Sequence, residues 1–288
     1  MIPAAFDYHA PASVDEALRL LRSLPDAKLL AGGHSLLPMM KLRVVSPGHV
    51  IDIGRIQALC GVREDGRALV IGAMTTHWAI ESSPLVRARA PLLAECASRI
   101  GDIQVRNVGT IGGSLVHADP AADYPAAVLA VEAEMTVVGA EGRRTIRARD
   151  FFTGVLSSAV RADEILTEIR VSALPPGTGQ AYLKFPHPAS GFAVVGVAAV
   201  VRLRGGRCED ARIGVTGVGP TAYRAEAVEK ALVGTTLDDR TIAAAAEHAA
   251  DGVEANEDLF ATPDYRAHLA RVFTKRAVRA ALERAGRA

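Results

Sequence analysis

The sequence predicts an α+β fold, and three observations indicate it. Helical and strand patterns alternate in the first part of the chain, several strands in succession follow, and three helical stretches come last. The chain has 288 residues, which is enough for two domains of ordinary size. Apolar residues make up 49% of it, as a sizeable core requires.

The first elements form a small α/β unit. Ser13 is a candidate N-cap with Glu16 three residues later, and the apolar residues of "SVDEALRLLRSL" lie on one helical face. The segment "AKLLAGG" predicts a short buried strand that ends at Gly32 and Gly33. The segment "HVIDIGRI" predicts a second strand, which we expect to pair with the first one around the helix.

A second unit begins near Gly61. The segment "ALVIGAMTTHWAI" predicts a strand and a short helix capped by Thr75 or Thr76, and "PLVRARAPLLAECASRI" predicts two helices divided at Pro91. The segment "AVLAVEAEMTVVGAEGRRTIRARDFF" predicts a buried strand, a turn and a paired strand, and "EILTEIRVSAL" predicts one more strand. "PPGTGQ" is the best linker candidate.

Antiparallel strands followed by helices are predicted after this linker. The segments "AYLKF", "FAVVGVAAVVRLRGG" and "RCEDARIGVTGVG" form a meander with a hairpin turn at Gly205 and Gly206. Helices are predicted at residues 225–232, 239–250 and 264–284. The last helix is rich in Arg and Lys, which usually indicates a solvated face, with contact to a partner protein as the alternative.

Composition excludes several classes of function. Lys and Arg total 33 and Asp and Glu total 32, a net charge of +1 that does not favour nucleic-acid binding. The longest apolar run, residues 192–201, is about half of the roughly 20 residues that a membrane-spanning helix needs. The N-terminus lacks a signal-peptide pattern, so we expect a cytoplasmic protein.

Three scattered cysteines, Cys60, Cys96 and Cys208, favour neither a disulfide framework nor a zinc site. An iron–sulfur cluster usually needs four thiolates, so this chain alone cannot hold one.

Two similar glycine segments, "AGGHSLLPMM" and "TIGGSLVHAD", are the candidate site. Ser35 and Ser114 lack the second glycine of a nucleophile elbow, which argues against a hydrolase. His117 and Asp119 have a spacing found in metal sites, but no third ligand can be assigned. Neither segment matches a P-loop or a Rossmann fingerprint.

Phosphate binding fits these segments better. Adjacent glycines let successive backbone N–H groups converge on an anion, and a neighbouring Ser or Thr adds a hydroxyl donor. Each glycine pair taken alone is more often a plain turn. Two such turns brought together could hold a pyrophosphate, and the matching residues after both pairs favour this interpretation.

The segments "AGGHSLLPMMKLR", "VRNVGTIGGSLVHADPAADYPAAVLA", "EILTEIRV" and "YLKF" resemble the FAD-binding medium subunits of the molybdenum hydroxylases. That family includes xanthine dehydrogenase and the aerobic carbon monoxide dehydrogenase type, and the resemblance to the latter's separate medium subunit is greatest. It extends over essentially the whole chain. It implies a two-lobed, vanillyl-alcohol oxidase-like FAD-binding domain at 1–175, with lobes at about 1–57 and 58–175, and a C-terminal domain at 177–288.

The resemblance also implies which residues contact FAD. Two loops would hold the pyrophosphate and the adjoining ribityl group, and four single residues would complete the site. The implied contacts are Leu29, Leu30, Ala31, Gly32, Gly33, His34, Ser35, Leu36, Ile100, Thr110, Ile111, Gly112, Gly113, Ser114, Asp123, Leu166 and Lys184. A positive charge on Lys184 near the flavin would favour its reduced, anionic form. The resemblance at Phe192, where the family often has an aromatic residue by the flavin, is loose.

The implied function is electron transfer within a larger oxidoreductase. Substrate is oxidised at a molybdenum cofactor on a large subunit, and electrons pass through two [2Fe-2S] clusters on a small subunit to FAD on this chain. They leave to a quinone, NAD or oxygen. The implied assembly is a dimer of heterotrimers. No catalytic residue and no metal ligand is assigned to this chain.

Two other classes remain as alternatives. A stand-alone oxidase or reductase of the vanillyl-alcohol oxidase type needs a large substrate-binding cap, for which residues 177–288 are short. A flavin domain without redox turnover is disfavoured by the intact glycine pairs and by Asp123. The benzoyl-CoA reductase branch of the family carries an insert with extra cysteines, and this sequence lacks it.

Overall fold

The protein has the α+β architecture that the sequence predicts. The structure is a computed structural model that describes residues 1–286. Three sheets follow one another along the chain, and we call them the N-terminal, central and C-terminal sheets. Helices pack on each of them. A separate two-stranded ribbon comes between the last two strands that the chain adds to the central sheet.

The N-terminal sheet confirms the predicted helix and strands. Its elements are β1 (Asp7–His9), α1 (Val14–Ser23), β2 (Ala27–Leu30), α2 (Leu36–Lys41) and β3 (His49–Asp52). The strands are parallel, in the order β1-β3-β2. Strand β1 was not predicted, because three partly polar residues show no periodicity. Ser13 caps α1 by accepting a hydrogen bond from the Glu16 amide at 3.2 Å.

The central sheet has five antiparallel strands in the order β4-β5-β10-β6-β7. This part of the chain contains β4 (Val62–Asp65), β5 (Ala68–Gly72), α3 (His77–Ser82), α4 (Pro84–Arg89), α5 (Pro91–Ser98), α6 (Ile103–Val108), α7 (Ile111–His117), α8 (Tyr124–Ala130), β6 (Glu134–Gly139), β7 (Gly142–Arg147), β8 (Phe152–Gly154), β9 (Ser157–Ser158) and β10 (Ile165–Ser172). Strands β8 and β9 form the separate ribbon. Two short 3-10 helices lie at Gln57–Leu59 and Ala148–Asp150. Thr76 caps α3, and α4 and α5 divide before Pro91, as predicted.

Two sequence-based interpretations in this region are wrong. The segment that begins at Ala127 was predicted to start as a strand, but its first four residues belong to α8, and β6 begins only at Glu134. Helix α8 is buried on all sides, so its sequence lacks the polar face that would indicate a helix. Gly112 and Gly113 were predicted to form a turn, and they instead lie in the first turn of α7.

The C-terminal sheet is the predicted antiparallel meander. Its elements are β11 (Thr178–Pro186), β12 (Ala193–Arg204), β13 (Arg207–Thr216), β14 (Tyr223–Arg224), α9 (Glu226–Leu232), α10 (Asp239–Ala246) and α11 (Pro263–Ala285). The strands follow one another in chain order. Gly205 and Gly206 connect β12 to β13 with φ values of 58° and 77°, which suit the hairpin turn expected there.

The central and C-terminal sheets share one apolar core. The cluster beneath the central sheet includes Ile111, Tyr124 and Leu166, and it also takes in Tyr182, Ala198 and Val200 of the C-terminal sheet. A second cluster lies between the C-terminal sheet and α11. Because buried residues of both sheets belong to one cluster, these two parts of the chain pack directly against each other.

The basic residues of α11 are used mainly within the chain. Arg271 pairs with Glu247, Arg279 pairs with Asp239, and the Arg276 guanidinium lies 5.2 Å from the Phe273 ring centroid. Arg284 reaches the central unit, where it donates to both carboxylate oxygens of Glu95 on α5 and to the Gln180 carbonyl. No helix in the described range 1–286 has the length and hydrophobicity for crossing a bilayer.

We expect Arg284→Ala to lower the free energy of unfolding by about 1–2 kcal/mol, because it removes charged hydrogen bonds that join two units. Arg279→Ala on the same helix removes one exposed ion pair with Asp239 and should cost less than about 0.5 kcal/mol. Urea unfolding of both variants checks this. Equal losses of stability would show that Arg284 does not fasten the C-terminal helix.

Candidate functional site

The first glycine segment is a loop with unused backbone donors. Leu29 and Leu30 end β2, residues 31–35 form the loop, and Leu36 begins α2. The backbone N–H groups of residues 32–35 donate no hydrogen bond to any other residue within 1–286. Gly33 has φ of +74°, a conformation that favours glycine. Ser35 lies at the N-cap of α2, but its hydroxyl does not cap the helix.

The second glycine segment differs in this respect. The Ile111 amide donates to the Thr75 carbonyl at 3.1 Å, and the Gly112 amide donates to the Ala73 carbonyl at 2.8 Å. The Gly113 amide donates to the Thr110 hydroxyl, which caps α7. The expectation that both glycine pairs offer free N–H groups is therefore wrong for this segment, because its amides are already bonded within the protein.

The two segments nevertheless lie against each other, as predicted. A Cβ atom on Gly32 would lie 2.3 Å from the Val108 carbonyl oxygen and 2.7 Å from Gly109 Cα. A Cβ on Gly113 would lie 3.5 Å from the Ala31 Cβ. Glycine at position 32 is thus required by the close approach of two backbones. The contact joins the N-terminal sheet to the central unit.

His77 supports this contact from the central side. Its amide donates to the Gly109 carbonyl at 2.9 Å, and a Cβ on Gly109 would lie 2.7 Å from its ring Nε2. Burial, with smaller effects of His34 and Arg106, lowers the pKa of His77 to about 4. The ring is therefore neutral at physiological pH. This role could not be predicted from the sequence, because an isolated histidine outside any motif indicates no particular function.

Asp123 is positioned by the C-terminal sheet. The segment before it, residues 119–122, is fastened by backbone bonds from Gly217 to the Pro120 carbonyl at 2.8 Å and from Ala193 to the Ala121 carbonyl at 3.0 Å. The Thr216 hydroxyl bonds to the Ala122 carbonyl at 2.8 Å. The segment before Asp123 is therefore held by residues that are far from it in sequence.

The Asp123 carboxylate lies in a buried polar cluster. Tyr182 donates its hydroxyl to Oδ1 at 2.5 Å, and Lys184 donates Nζ to Oδ2 at 2.8 Å. The side chains of Lys184 and Asp123 are only 3% and 4% exposed. Burial raises the pKa of Asp123, and the contacts with Lys184 and Tyr182 oppose that rise. The sequence suggests a positive charge at Lys184 near the flavin, and in the structure that ammonium group is paired with the Asp123 carboxylate.

Ile100 lies in a turn that two cations hold. Lys184 Nζ also donates to the Arg99 carbonyl at 2.7 Å, and Arg106 donates to the Ile100 carbonyl at 3.1 Å. Gly101 in this turn has φ of +47°. The turn therefore lies beside Asp123, at the end of α5.

Leu166 is a core residue that packs in the apolar cluster beneath the second glycine segment. It is 4% exposed and packs in the cluster that contains Ile111. The strand is irregular between Leu166 and Glu168, and the Thr167 carbonyl there accepts a bond from the Ala73 amide. Of the residues singled out from the sequence, the two glycine segments are in contact with each other. Asp123, Lys184 and the turn of Ile100 form a second group, and Leu166 is buried behind the second glycine segment.

Comparison with known proteins identifies the family. The model of the "FAD binding domain in molybdopterin dehydrogenase" family matches residues 4–173, and that of the "CO dehydrogenase flavoprotein C-terminal domain" matches residues 180–281. The chain belongs to this family of FAD-binding molybdopterin dehydrogenase subunits. It is therefore a flavoprotein component of an oxidoreductase, as the resemblance implied.

Individual relatives agree with this assignment. The chain is 48% identical to the carbon monoxide dehydrogenase medium chain of Hydrogenophaga pseudoflava over 99% of both chains. It is 41% identical, again over 99% of both, to the medium chain of the same name from Afipia carboxidovorans. A solved structure of the Hydrogenophaga pseudoflava carbon monoxide dehydrogenase superposes with a TM-score of 0.96 at 50% identity, covering 99% of each chain.

These matches disfavour the stand-alone oxidase alternative, because the similar proteins over nearly the whole chain are from carbon monoxide dehydrogenases. The described part of the chain contains no group of three or more His, Cys, Asp or Glu that could hold a metal ion.

The low pKa of His77 predicts a pH dependence of stability in the flavin-free flavoprotein. Below pH 6.5 the unfolded chain binds a proton on His77 that the folded chain does not, so stability falls from pH 6.5 down to about 4. We expect His77→Gln to remove about 2–4 kcal/mol of this loss. Urea unfolding across this range checks the difference from wild type.

The control for this prediction is His268→Gln, because His268 is an exposed residue of α11. It should leave the pH dependence close to that of the wild type. A His77→Gln chain that loses as much stability as the wild type would contradict a buried neutral imidazole.

Proposed function

We propose that this chain binds FAD between its two glycine segments and passes electrons from [2Fe-2S] clusters of a partner subunit to an external acceptor. The enzyme would be of the carbon monoxide dehydrogenase type. A large subunit with a molybdenum cofactor and a small iron–sulfur subunit would complete a heterotrimer, two of which form the assembly in the cytoplasm. The substrate would be oxidised on the large subunit. The family membership and the geometry of the glycine segments support this proposal.

The observation that carries the proposal is the loop of residues 32–35. Four consecutive backbone N–H groups have no partner in the described chain, and Gly32 brings their loop against Val108 and Gly109, just before α7. A pyrophosphate needs such donors, since converging amides stabilise negative charge without a Lys or Arg side chain. The donors present thus fit the pyrophosphate of FAD.

The other implied residues complete the proposed site. The second segment, Thr110 to Ser114, forms a fixed wall because its amides are bonded internally. Ile100, Asp123 and Lys184 lie together at the end of α5, and Leu166 backs the site from the core. We assign all seventeen residues implied by the resemblance to the FAD site. Sixteen of them lie in the proposed FAD-binding domain of residues 1–175, and Lys184 lies in the proposed C-terminal domain of residues 177–288.

FAD, when bound, supplies the redox chemistry, and the chain's own residues hold it and set its surroundings. The first loop would bind the phosphates and the second segment would orient them. Asp123 and Lys184 would lie beside the flavin as an ion pair without net charge. Cys96 and Cys208 are buried apart from each other and Cys60 lies elsewhere, so the iron–sulfur clusters belong on a partner.

The test is purification of the chain alone and together with the products of its neighbouring genes. We expect FAD in both preparations, no substrate turnover by the chain alone, and bleaching of the flavin absorbance when substrate reaches the full assembly. Substrate turnover by the isolated chain would overturn the proposal in favour of a stand-alone oxidase. An assembly whose flavin never bleaches would indicate a flavin domain without redox function.

Gly113→Val should lower the FAD content per chain at least ten-fold, because the added side chain would enter the contact with Ala31 and the Thr110 hydroxyl. Gly48→Val is the control, since nothing lies within 4 Å of a Cβ at that exposed turn. Flavin absorbance after desalting gives the content, and far-ultraviolet circular dichroism reports the fold. Full flavin content in a folded Gly113→Val chain would refute the placement of FAD.

A further inference from the structure

Strand β11 carries a tyrosine that the cofactor site does not explain. Tyr182 and Lys184 are two residues apart in the strand, so both side chains lie on the face towards Asp123. Tyr182 is completely buried, and its hydroxyl occupies Oδ1 of Asp123 while Lys184 occupies Oδ2. Each carboxylate oxygen thus has its own donor. Burial raises the pKa of Tyr182 well above its usual value, so Tyr182 is the proton donor in this bond.

The neighbouring strand leaves room for this hydroxyl. Gly196 lies within β12 and pairs with Lys184 in register. A Cβ on Gly196 would lie 2.3 Å from the Tyr182 hydroxyl oxygen and 2.9 Å from Thr216 Cγ2. Glycine weakens a strand interior, so its presence often indicates a close approach. Here the approaching group is the hydroxyl that bonds to Asp123.

The contacts continue from this cluster to the wall of the proposed flavin site. Lys184 bonds to Asp123 and to the Arg99 carbonyl, and the turn that Arg99 begins carries Ile100. Movement of the Asp123 carboxylate would therefore change both the position of Lys184 and its electrostatic balance. The side chains of Lys184 and Asp123 are almost completely buried, and a carboxylate oxygen left without a donor there is costly.

Other titratable groups face Asp123 from several elements. Cys96 of α5 is buried, and burial raises its pKa well above the usual value, which keeps the thiol neutral. Tyr124 on α8 is neutral for the same reason. The positive charge of Arg99, just after α5, lowers the pKa of Tyr182 slightly against the effect of burial. The Glu95 carboxylate accepts a hydrogen bond from Arg284. Tyr182 and Lys184 are thus the groups that donate hydrogen bonds to the carboxylate.

We propose that Tyr182 is a positioning residue that keeps Asp123 ionised and oriented on Lys184, so that the pair presents no net charge to the flavin. The proposal rests on the proposed function, because it places FAD beside this pair. Without the hydroxyl, one carboxylate oxygen loses its donor in a buried place, and Asp123 takes up a proton. Lys184 then faces the flavin with an uncompensated positive charge.

The first test uses the flavin-free chain. Infrared spectra recorded over a pH titration should show a protonated carboxyl band in Tyr182→Phe at pH values where the wild type shows none. Asp123→Asn combined with Tyr182→Phe should abolish that band, which assigns it to Asp123. If Tyr182→Phe shows no such band, Asp123 does not depend on Tyr182 and the proposal is wrong. This result does not depend on whether the chain binds FAD.

The second test measures the midpoint potential of FAD in the full assembly from pH 6 to 9. In Tyr182→Phe the ratio of reduced to oxidised flavin at a fixed potential should rise about ten-fold at low pH, or about 30 mV for a two-electron couple, and return towards wild type as pH rises. Asp123→Asn should raise the ratio at every pH. A wild-type potential in Tyr182→Phe throughout would overturn the proposal.

Two variants separate this role from a structural one. Gly196→Ala keeps the Tyr182 hydroxyl but displaces it from Asp123, because the added methyl group would overlap with the hydroxyl oxygen. This variant should reproduce the pH-dependent shift of the flavin potential. Tyr124→Phe removes another fully buried hydroxyl, which has no hydrogen-bond partner in residues 1–286, and it should leave the potential unchanged. An equal shift in Tyr124→Phe would refute the specific role of Tyr182. A wild-type assembly without FAD would overturn the proposed function and this effect on the flavin together.

Discussion

The close contact between Gly32 and the backbone at Val108 and Gly109 is the constraint on which the rest of the site depends. A single methyl group at position 32 would overlap with the Val108 carbonyl oxygen. At this point the two backbones can therefore approach each other only because residue 32 has no side chain. His77 fixes the other side of this contact by bonding to Gly109. The contact thus holds the loop that carries the free amides against the residues just before α7.

The C-terminal sheet completes the site from the opposite direction. Its strands hold the segment before Asp123 by backbone hydrogen bonds, and they supply Tyr182 and Lys184 to the carboxylate itself. Because the same sheet also contributes to the apolar core beneath the central sheet, its position is fixed independently of these polar groups. The carboxylate that belongs to the flavin-binding part of the sequence is therefore oriented by the other part.

Local signals in the sequence account for much of the fold. Ser13, Thr76 and the pair of Gly205 and Gly206 each act on neighbouring residues, and the elements that they predict are present. Gly112 and Gly113 were misinterpreted because glycine is a poor helix former, while α7 is stabilised there by Thr110 and by the distant Ala73 carbonyl.

The site itself was predictable only in part. The resemblance to the family supplied its residues, and the glycine segments indicated phosphate chemistry. The bond between Tyr182 and Asp123 joins residues 59 positions apart, and no spacing rule connects them. The ion pair of Lys184 and the burial of His77 are likewise tertiary effects. Such contacts depend on which sheets pack together, and periodicity carries no information about that.

The unequal use of backbone amides in the two glycine segments has a consequence for how a ligand binds. The second segment is ordered by the protein's own hydrogen bonds, so this segment loses little conformational entropy when a ligand contacts it. The amides of residues 32–35 in the first loop lack those bonds, so we expect an anion that accepts hydrogen bonds from them to reduce the conformational freedom of the loop. Binding should then stabilise this loop, so that proteolytic cleavage between β2 and α2 is faster in the empty protein than in the FAD-bound one.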